Sequence, residues 1–160
     1  MNRLSRIGAA ATLAAVSALA FSQGGPPTPE AQNKSAIEAR QGLFKLLANQ
    51  NGPIGGMQRN TVPFDAAIVA RNAARIQVLA GMIPELFTRD THEFKDVKST
   101  AMDNIWTSQA DFKTKSDALV TAAGNLAEAA KGGDKATTLK AAAEVGKACG
   151  SCHDSFRAKP

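Results

Sequence analysis

The chain has few of the side chains that build metal-held or covalent frameworks: of its 160 residues, only two are cysteine and two are histidine. Both cysteines lie in one short stretch near the C-terminus. A structural zinc site needs four ligands, and only His92 could join Cys149, Cys152 and His153 to complete one. The sequence also lacks a cluster of lysine and arginine interleaved with aromatic residues, so nucleic-acid binding has little support.

Long apolar runs are almost absent too. The one candidate, residues 7–20, follows Arg3 and Arg6 and ends in Ala18-Leu19-Ala20. It is short for a transmembrane span, whereas its basic start and small-residue end are typical of a secretory signal. We therefore predict cleavage after Ala20 and export to the periplasm, with an uncleaved membrane anchor as the alternative. The remaining 140 residues carry 17 basic and 14 acidic side chains, a formal charge of +3, and suit one soluble domain.

Neither a repeat nor a strand-like alternation is visible. After a flexible leader at residues 21–29, the apolar positions recur at helical spacing almost throughout. The pattern predicts four helices and three connections: helices at 29–49, 64–87, 104–131 and 135–157, loops at 51–63 and 88–103, and a turn at Gly132-Gly133-Asp134. We expect Pro84 to kink or end the second helix and Asp134 to cap the fourth. Four such helices predict an all-α, antiparallel four-helix bundle over residues 30–160.

The fourth predicted helix carries a C-x-x-C-H sequence, Cys149-Gly150-Ser151-Cys152-His153. A thioredoxin-like redox pair would need a βαβ context, and no strand pattern precedes the motif. The same spacing followed at once by histidine is the attachment signature of c-type haem. On a helix the three side chains project from one side. We predict that Cys149 and Cys152 form thioethers to one covalently bound haem c and that His153 is the axial iron ligand.

Several further pieces of sequence accompany this motif. They are Arg40-Gln41, the segment VPFDAA at 62–67, Ile105-Trp106 followed by Phe112-Lys113, and CGSCHDSFR at 149–157. In order and spacing, over essentially the whole mature chain, the sequence resembles the cytochrome c′ family of class II c-type cytochromes. Class I cytochromes c carry the motif near the N-terminus and an axial methionine far downstream. Here only Asp154 to Pro160 follow the motif, so that arrangement is excluded.

The resemblance implies that the first helix covers the haem face opposite His153. Arg40 would be placed by a haem propionate through a charge-assisted hydrogen bond, and Phe44, one turn on, would lie over the iron. Low-spin relatives that resemble cytochrome c-556 have a methionine there as sixth ligand, whereas phenylalanine cannot ligate. We therefore expect five-coordinate, high-spin iron that binds water and dioxygen poorly and remains open to NO and, with more hindrance, to CO. The alternative for Phe44 is an ordinary core aromatic.

Five other residues have two interpretations each. The resemblance places Gln41 at the haem edge, Trp106 in packing near the haem, and Arg157 beside the proximal imidazole. The alternatives are an exposed helix glutamine, a core tryptophan and a favourable cation at a helix C-terminus. Met57, after a glycine loop expected to be flexible, is the residue that could restore a sixth ligand, although packing is its usual role. A bis-histidine haem would require His92, which is more typical of a solvated loop.

Two functions therefore compete. The first is binding of NO or a similar diatomic gas at open iron. The second is electron transfer, which a low-spin haem like that of cytochrome c-556 would favour and which five-coordinate iron still permits. A peroxidase or reductase is not indicated, because no distal histidine or acid is arranged to deliver protons. Since members of the resembling family are often dimers through their first two helices, a homodimer formed in that way is also expected.

Overall fold

Residues 25–159 are described by the computed structural model, and their architecture is helical. The helices are α1 (Pro29–Gln58), α2 (Ala66–Gly81), α3 (Ile83–Leu86), α4 (Asn104–Thr107), α5 (Gln109–Lys131) and α6 (Lys135–Phe156). No β-strand occurs in this part of the chain, where Ala101 and Arg157 form an isolated antiparallel bridge. The four long helices confirm the predicted four-helix bundle. The predicted signal, residues 1–20, and the first part of the predicted leader lie outside the described residues.

Side-chain caps fix where the long helices begin. The Thr28 hydroxyl accepts a hydrogen bond from the Ala31 amide, with Pro29 following as the first helical residue. Asp65 caps α2, and Asp134 caps α6 by accepting from the Thr137 amide at 2.8 Å. Each cap satisfies an amide that the first helical turn leaves without a partner. The predicted cap at Asp134 is confirmed, and Gly133 before it takes a φ of +75°, which glycine tolerates best.

The first helix is longer than the sequence predicted. We expected a loop from Asn51 because Gly52, Pro53 and two further glycines follow, and that prediction is wrong: α1 continues to Gln58. A proline inside a helix costs roughly 3 kcal/mol. The extra turns bury Ile54 and Met57, which are 1% and 3% exposed, and each such burial contributes about 1.5–3 kcal/mol. Tertiary packing therefore outweighs the local helix-breaking residues.

Two predicted helices are interrupted. The predicted helix at 64–87 divides into α2 and α3 at Met82, two residues before Pro84, which confirms the kink expected there. The predicted helix at 104–131 divides into α4 and α5 at Ser108, whose backbone leaves the helical region. The segment between α3 and α4 is a long irregular connection, as predicted. We call residues 86–103, which begin with the last residue of α3, the α3–α4 connection.

The order of helix packing leaves room for a site. Helix α2 packs closely against α1 on one side and α5 on the other, and α5 packs against α6. The core between them is formed by side chains such as Val69, Ile76, Ala123, Leu126 and Val145. Helices α1 and α6 make few direct contacts. Among the described residues, no helix is long and apolar enough to cross a bilayer.

Candidate functional site

A cavity of about 470 Å³ lies between α1 and α6, within the size range of small-molecule and cofactor sites. Side chains of α2 and α5 form its floor, and the α3–α4 connection lines one edge. Most of the lining is apolar and includes Leu47, Ile76, Phe112 and Leu119. An apolar pocket with a few convergent polar groups is the usual form of a cofactor site.

One wall of the cavity is the C-terminal part of α6, and it carries the C-x-x-C-H motif. Cys149, Cys152 and His153 all line the cavity, as their helical spacing predicted. All three side chains are half-buried, and neither cysteine is in a disulfide. Two thiols and one imidazole thus face the same apolar space from a single helix.

Burial is the main cause of the pKa shifts of these three groups. It raises the pKa of the Cys149 thiol. The pKa of Cys152 is also raised, chiefly by burial and then by Cys149, against the opposing charge of Lys115. Burial, followed by the charge of Arg157, lowers the pKa of His153. A low pKa favours the neutral imidazole, which is the form that binds a metal ion.

The opposite wall is one face of α1. Its lining residues recur at helical spacing and are Ile37, Arg40, Gln41, Phe44, Leu47, Ala48 and Asn51. Phe44, which the resemblance placed over the iron, is therefore on the wall that faces α6. Its ring remains 40% exposed, and its centroid is 6.3 Å from that of Phe87.

Arg40 and Gln41 are both engaged with the α3–α4 connection. Arg40 is 4% exposed and donates to the carbonyls of Leu86 and Arg89 and to the Thr91 hydroxyl, at 2.6–2.7 Å. These bonds use three of its five N–H donors, so two are left for another acceptor. Gln41 donates from Nε2 to the Lys98 carbonyl at 2.9 Å.

Trp106 does not line the cavity. Its indole Nε1 donates to the Phe87 and Arg89 carbonyls, both at 3.1 Å. Its ring lies 5.5 Å from the Arg40 guanidinium carbon and 6.3 Å from the Phe87 ring. Trp106 thus contacts residues that line the cavity and forms no part of the wall itself.

Arg157 lies where α6 ends. It lines the cavity, and its backbone amide donates to the His153 carbonyl at 3.1 Å. Its neighbours fasten the end of the chain to the α3–α4 connection: Met102 donates to the Phe156 carbonyl and Ala158 donates to the Thr100 carbonyl. Arg157 is therefore held on the same side of the cavity as His153, and its charge acts on that imidazole.

The side chains considered as alternative iron ligands lie elsewhere. Met57 is buried in the last turn of α1, outside the cavity lining; the flexible glycine loop expected before it is instead helical. Met82 and Met102 are exposed and do not line the cavity either. His92 contacts Asp90 at 2.8 Å and another carboxylate at 2.7 Å. Among the described residues, the cavity lining contains one histidine, His153, and no methionine.

Two parts of the site carried no recognisable signal in the sequence. Phe87 lines the cavity, but as the last residue of a predicted helix it had no assigned role. Thr91 is buried and bonds Arg40, although threonine in a polar connection is usually solvated. These residues lie 47 and 51 positions after Arg40 in the chain, and only the folded connection brings them to it.

The residues present fit a covalently held haem. The cavity offers a mostly apolar space for a flat macrocycle, and two thiols and a neutral-favouring imidazole stand on one wall. Polar donors from Arg40 and Gln41 stand on the facing wall. In these described residues, no cluster of three or more histidine, cysteine and acidic side chains could hold a bare metal ion.

Several known proteins are similar to this chain in sequence and in fold. The chain matches the family described as cytochrome c′ over residues 35–157. It is 36% identical to cytochrome c-554 of Cereibacter sphaeroides, over 80% of this chain and 84% of that protein. It is also 36% identical to cytochrome c′ of Rubrivivax gelatinosus, over 78% and 95%, and 32% identical to a cytochrome c-556 of Agrobacterium tumefaciens, over 77% and 97%.

A solved structure agrees with the bundle. It is the nitric oxide complex of a mutant cytochrome c′ from Alcaligenes xylosoxidans, which is 28% identical in sequence to this chain. The two superpose with a TM-score of 0.69 over 79% of this chain and 97% of that one.

The His92 contacts give a prediction for the pH dependence of stability. The hydrogen bond to Asp90 raises the pKa of His92, and the charges of Asp90, Glu93 and Asp103 add to it. A histidine with a raised folded-state pKa contributes stability that is fully present below its unfolded value of about 6.5. That contribution is lost as the pH rises through the folded value.

This effect is tested by urea unfolding of the wild-type chain and of His92→Gln, from pH values below the unfolded pKa of His92 to values above its folded pKa. The wild type is expected to hold an advantage in the free energy of unfolding below about pH 6, and that advantage should shrink as the pH rises. An advantage that stays constant with pH would contradict the assignment, because glutamine can hydrogen-bond but cannot titrate.

Proposed function

The chain belongs to the cytochrome c′ family, whose members carry covalently bound haem c, and on that premise we propose that it binds small diatomic gases at five-coordinate iron. In this proposal Cys149 and Cys152 hold the haem through thioethers, and His153 is its single protein ligand. The haem supplies, when bound, an iron centre with one open face that can accept NO or CO and can exchange electrons.

The composition of the cavity wall on the α1 side supports this proposal most directly. Histidine and methionine are the usual sixth ligands of a c-type haem, and none of the described residues lining the cavity on the α1 side is either. The side chain that supports an open site is Phe44, which is apolar and offers no hydrogen-bond donor. Iron-bound dioxygen benefits from a distal donor, whereas NO and CO depend on it less, so we propose NO and CO as the ligands.

The other residues of the site have supporting roles in this proposal. Arg40 has two N–H donors free for a haem propionate, and Gln41 lies next to it along the same edge. Arg157 keeps a positive charge near His153, which opposes a more electron-rich imidazole. Trp106 lies outside the cavity and supports its wall through contacts with Arg40 and Phe87.

Electron transfer is the second candidate, and the similarity to a cytochrome c-556 favours it. Five-coordinate iron can also exchange electrons, so a chain that binds gases at open iron could carry out electron transfer as well. As a purely electron-carrying, low-spin protein, the chain would need a sixth ligand that its described cavity wall does not supply. We propose no enzymatic role, since no histidine or acid on the α1 wall is placed to deliver protons.

The proposed setting is the periplasm. Cytochromes c′ related to this chain are periplasmic, and the predicted signal at residues 1–20 would direct the same export. Attachment of haem c to the two thiols also suits an exported chain.

A homodimer is proposed through the outer faces of α1 and α2. Leu46 on α1 is 50% exposed and Val78 on α2 is 68% exposed, and both border a shallow groove with Ala74 and Leu79. Adjacent exposed apolar side chains of this size favour an interface.

The ligation state is tested by absorption spectra of the purified holoprotein, first in both oxidation states and then with NO and CO added to the reduced form. We expect a broad, unsplit visible band in the ferrous protein that changes when either gas is added. A sharp α band that does not respond to CO would indicate a sixth protein ligand and would favour the electron carrier instead.

The place of Phe44 is tested by Phe44→Met. A thioether at this position should reach the iron and convert the ferrous spectrum to a sharp, low-spin form with weakened CO binding. Leu46→Met is the matched control, because that side chain is on the same helix but outside the cavity lining, and its spectrum should remain that of the wild type. An unchanged spectrum in Phe44→Met would show that position 44 does not face the iron.

The dimer is tested by Val78→Lys in sedimentation velocity. An unpaired lysine at the centre of an apolar contact should raise the dissociation constant about tenfold or more. Ala118→Lys adds the same charge to an exposed position of α5 and should leave the dimer intact. Wild-type protein that sediments as a monomer at all concentrations would disprove the dimer.

A further inference from the structure

Arg40 is fastened to the α3–α4 connection by all three nitrogens of its guanidinium group. Nε donates to the Leu86 carbonyl at 2.7 Å, Nη1 to the Thr91 hydroxyl at 2.6 Å, and Nη2 to the Arg89 carbonyl at 2.6 Å. The three acceptors lie within six residues of one another, from the last residue of α3 into the irregular segment that follows it. A planar fork of donors is suited to holding several fixed acceptors at once.

Two aromatic rings complete the surroundings of this cation. The guanidinium carbon is 4.5 Å from the centroid of the Phe87 ring and 5.5 Å from that of Trp106, distances typical of cation–π contacts. Within residues 25–159, no carboxylate forms an ion pair with Arg40. Asp90, on the exposed side of the connection, acts on it only at longer range. Carbonyl oxygens and aromatic faces therefore stabilise the buried charge.

The fastened segment contains part of the cavity wall. Phe87 lies between Leu86 and Arg89, both held by Arg40, and it lines the cavity. Its ring centroid is 6.3 Å from that of Phe44 and 4.9 Å from that of Phe112. The position of Phe87 thus depends on Arg40, and Phe44 packs against Phe87.

We propose that Arg40 is a positioning residue of the distal wall: it fixes residues 86–91 so that Phe87 supports Phe44 on the open side of the haem. The inference depends on the proposed function only for the place of Phe44. The fastening of the connection stands on the hydrogen bonds and on the burial of Arg40. This role differs from contact with a propionate, which would use only the two remaining N–H donors.

Replacement of Arg40 by lysine distinguishes the positioning role from contact with a propionate. A lysine ammonium could attract a propionate as a point charge, but it cannot hold three acceptors in a plane or lie flat against two rings. Thr91 separates them further, since it is bonded to Arg40 but does not line the cavity. Removing its hydroxyl therefore weakens the fastening without touching the haem site directly.

The experiment uses the holoprotein and three variants: Arg40→Lys, Thr91→Val and the control Thr88→Val. Thr88 is exposed in the same connection and bonds only locally, to the Glu85 carbonyl. Amide hydrogen exchange of residues 86–92 is measured first, and then the rate of CO association with the reduced protein. We expect exchange in this segment to be about tenfold faster or more in both Arg40→Lys and Thr91→Val.

The CO association rate should shift in the same direction in these two variants, while Thr88→Val should match the wild type in both measurements. Wild-type exchange and CO rates in Arg40→Lys together with Thr91→Val would overturn the proposal and leave Arg40 as a point charge near the haem. If Arg40→Lys fails to fold or to retain haem, Thr91→Val alone decides. If the wild type proves to be six-coordinate, the proposed function fails, and the exchange result still decides whether Arg40 fastens the connection.

Discussion

Helices α1 and α6 stand apart, and their separation makes the site possible. The bundle is held together by α2 and α5, whose small and branched side chains pack closely along their whole contact. Because that packing does not require α1 to touch α6, a cavity forms between the two outer helices. Helix α6 can then present two thiols and an imidazole to the same space that α1 faces with Phe44. A closer approach of these helices would remove the site.

The cavity edge depends on the α3–α4 connection, which has little regular structure and is held from two sides. Arg40 and Gln41 of α1 bind its carbonyls, and the end of the chain after α6 pairs with it at Thr100 and Met102. Both walls of the site therefore fasten to the same connection. This joint attachment links the segment that follows His153 to the helix that carries Phe44.

The sequence predicted most of this site because its strongest signals are local. The C-x-x-C-H spacing on a helix placed Cys149, Cys152 and His153 on one wall, and the interval of four residues placed Arg40 and Phe44 on one face of α1. Helix ends were less predictable: the extension of α1 through Pro53 depends on burial of Ile54 and Met57, which only the tertiary fold reveals. The partners of Arg40 were hidden for the same reason, because a carbonyl acceptor such as that of Leu86 has no sequence signature.

The proposed function requires that His153 be the only ligand that the chain supplies to the iron. The most direct test is iron K-edge X-ray absorption on the reduced, gas-free holoprotein. We expect a first coordination shell of macrocycle nitrogens and one imidazole nitrogen, with no sulfur neighbour. A sulfur scatterer at bonding distance, or a second imidazole, would contradict it, because either would mean that Met57 or His92 reaches a wall where the described structure places Phe44.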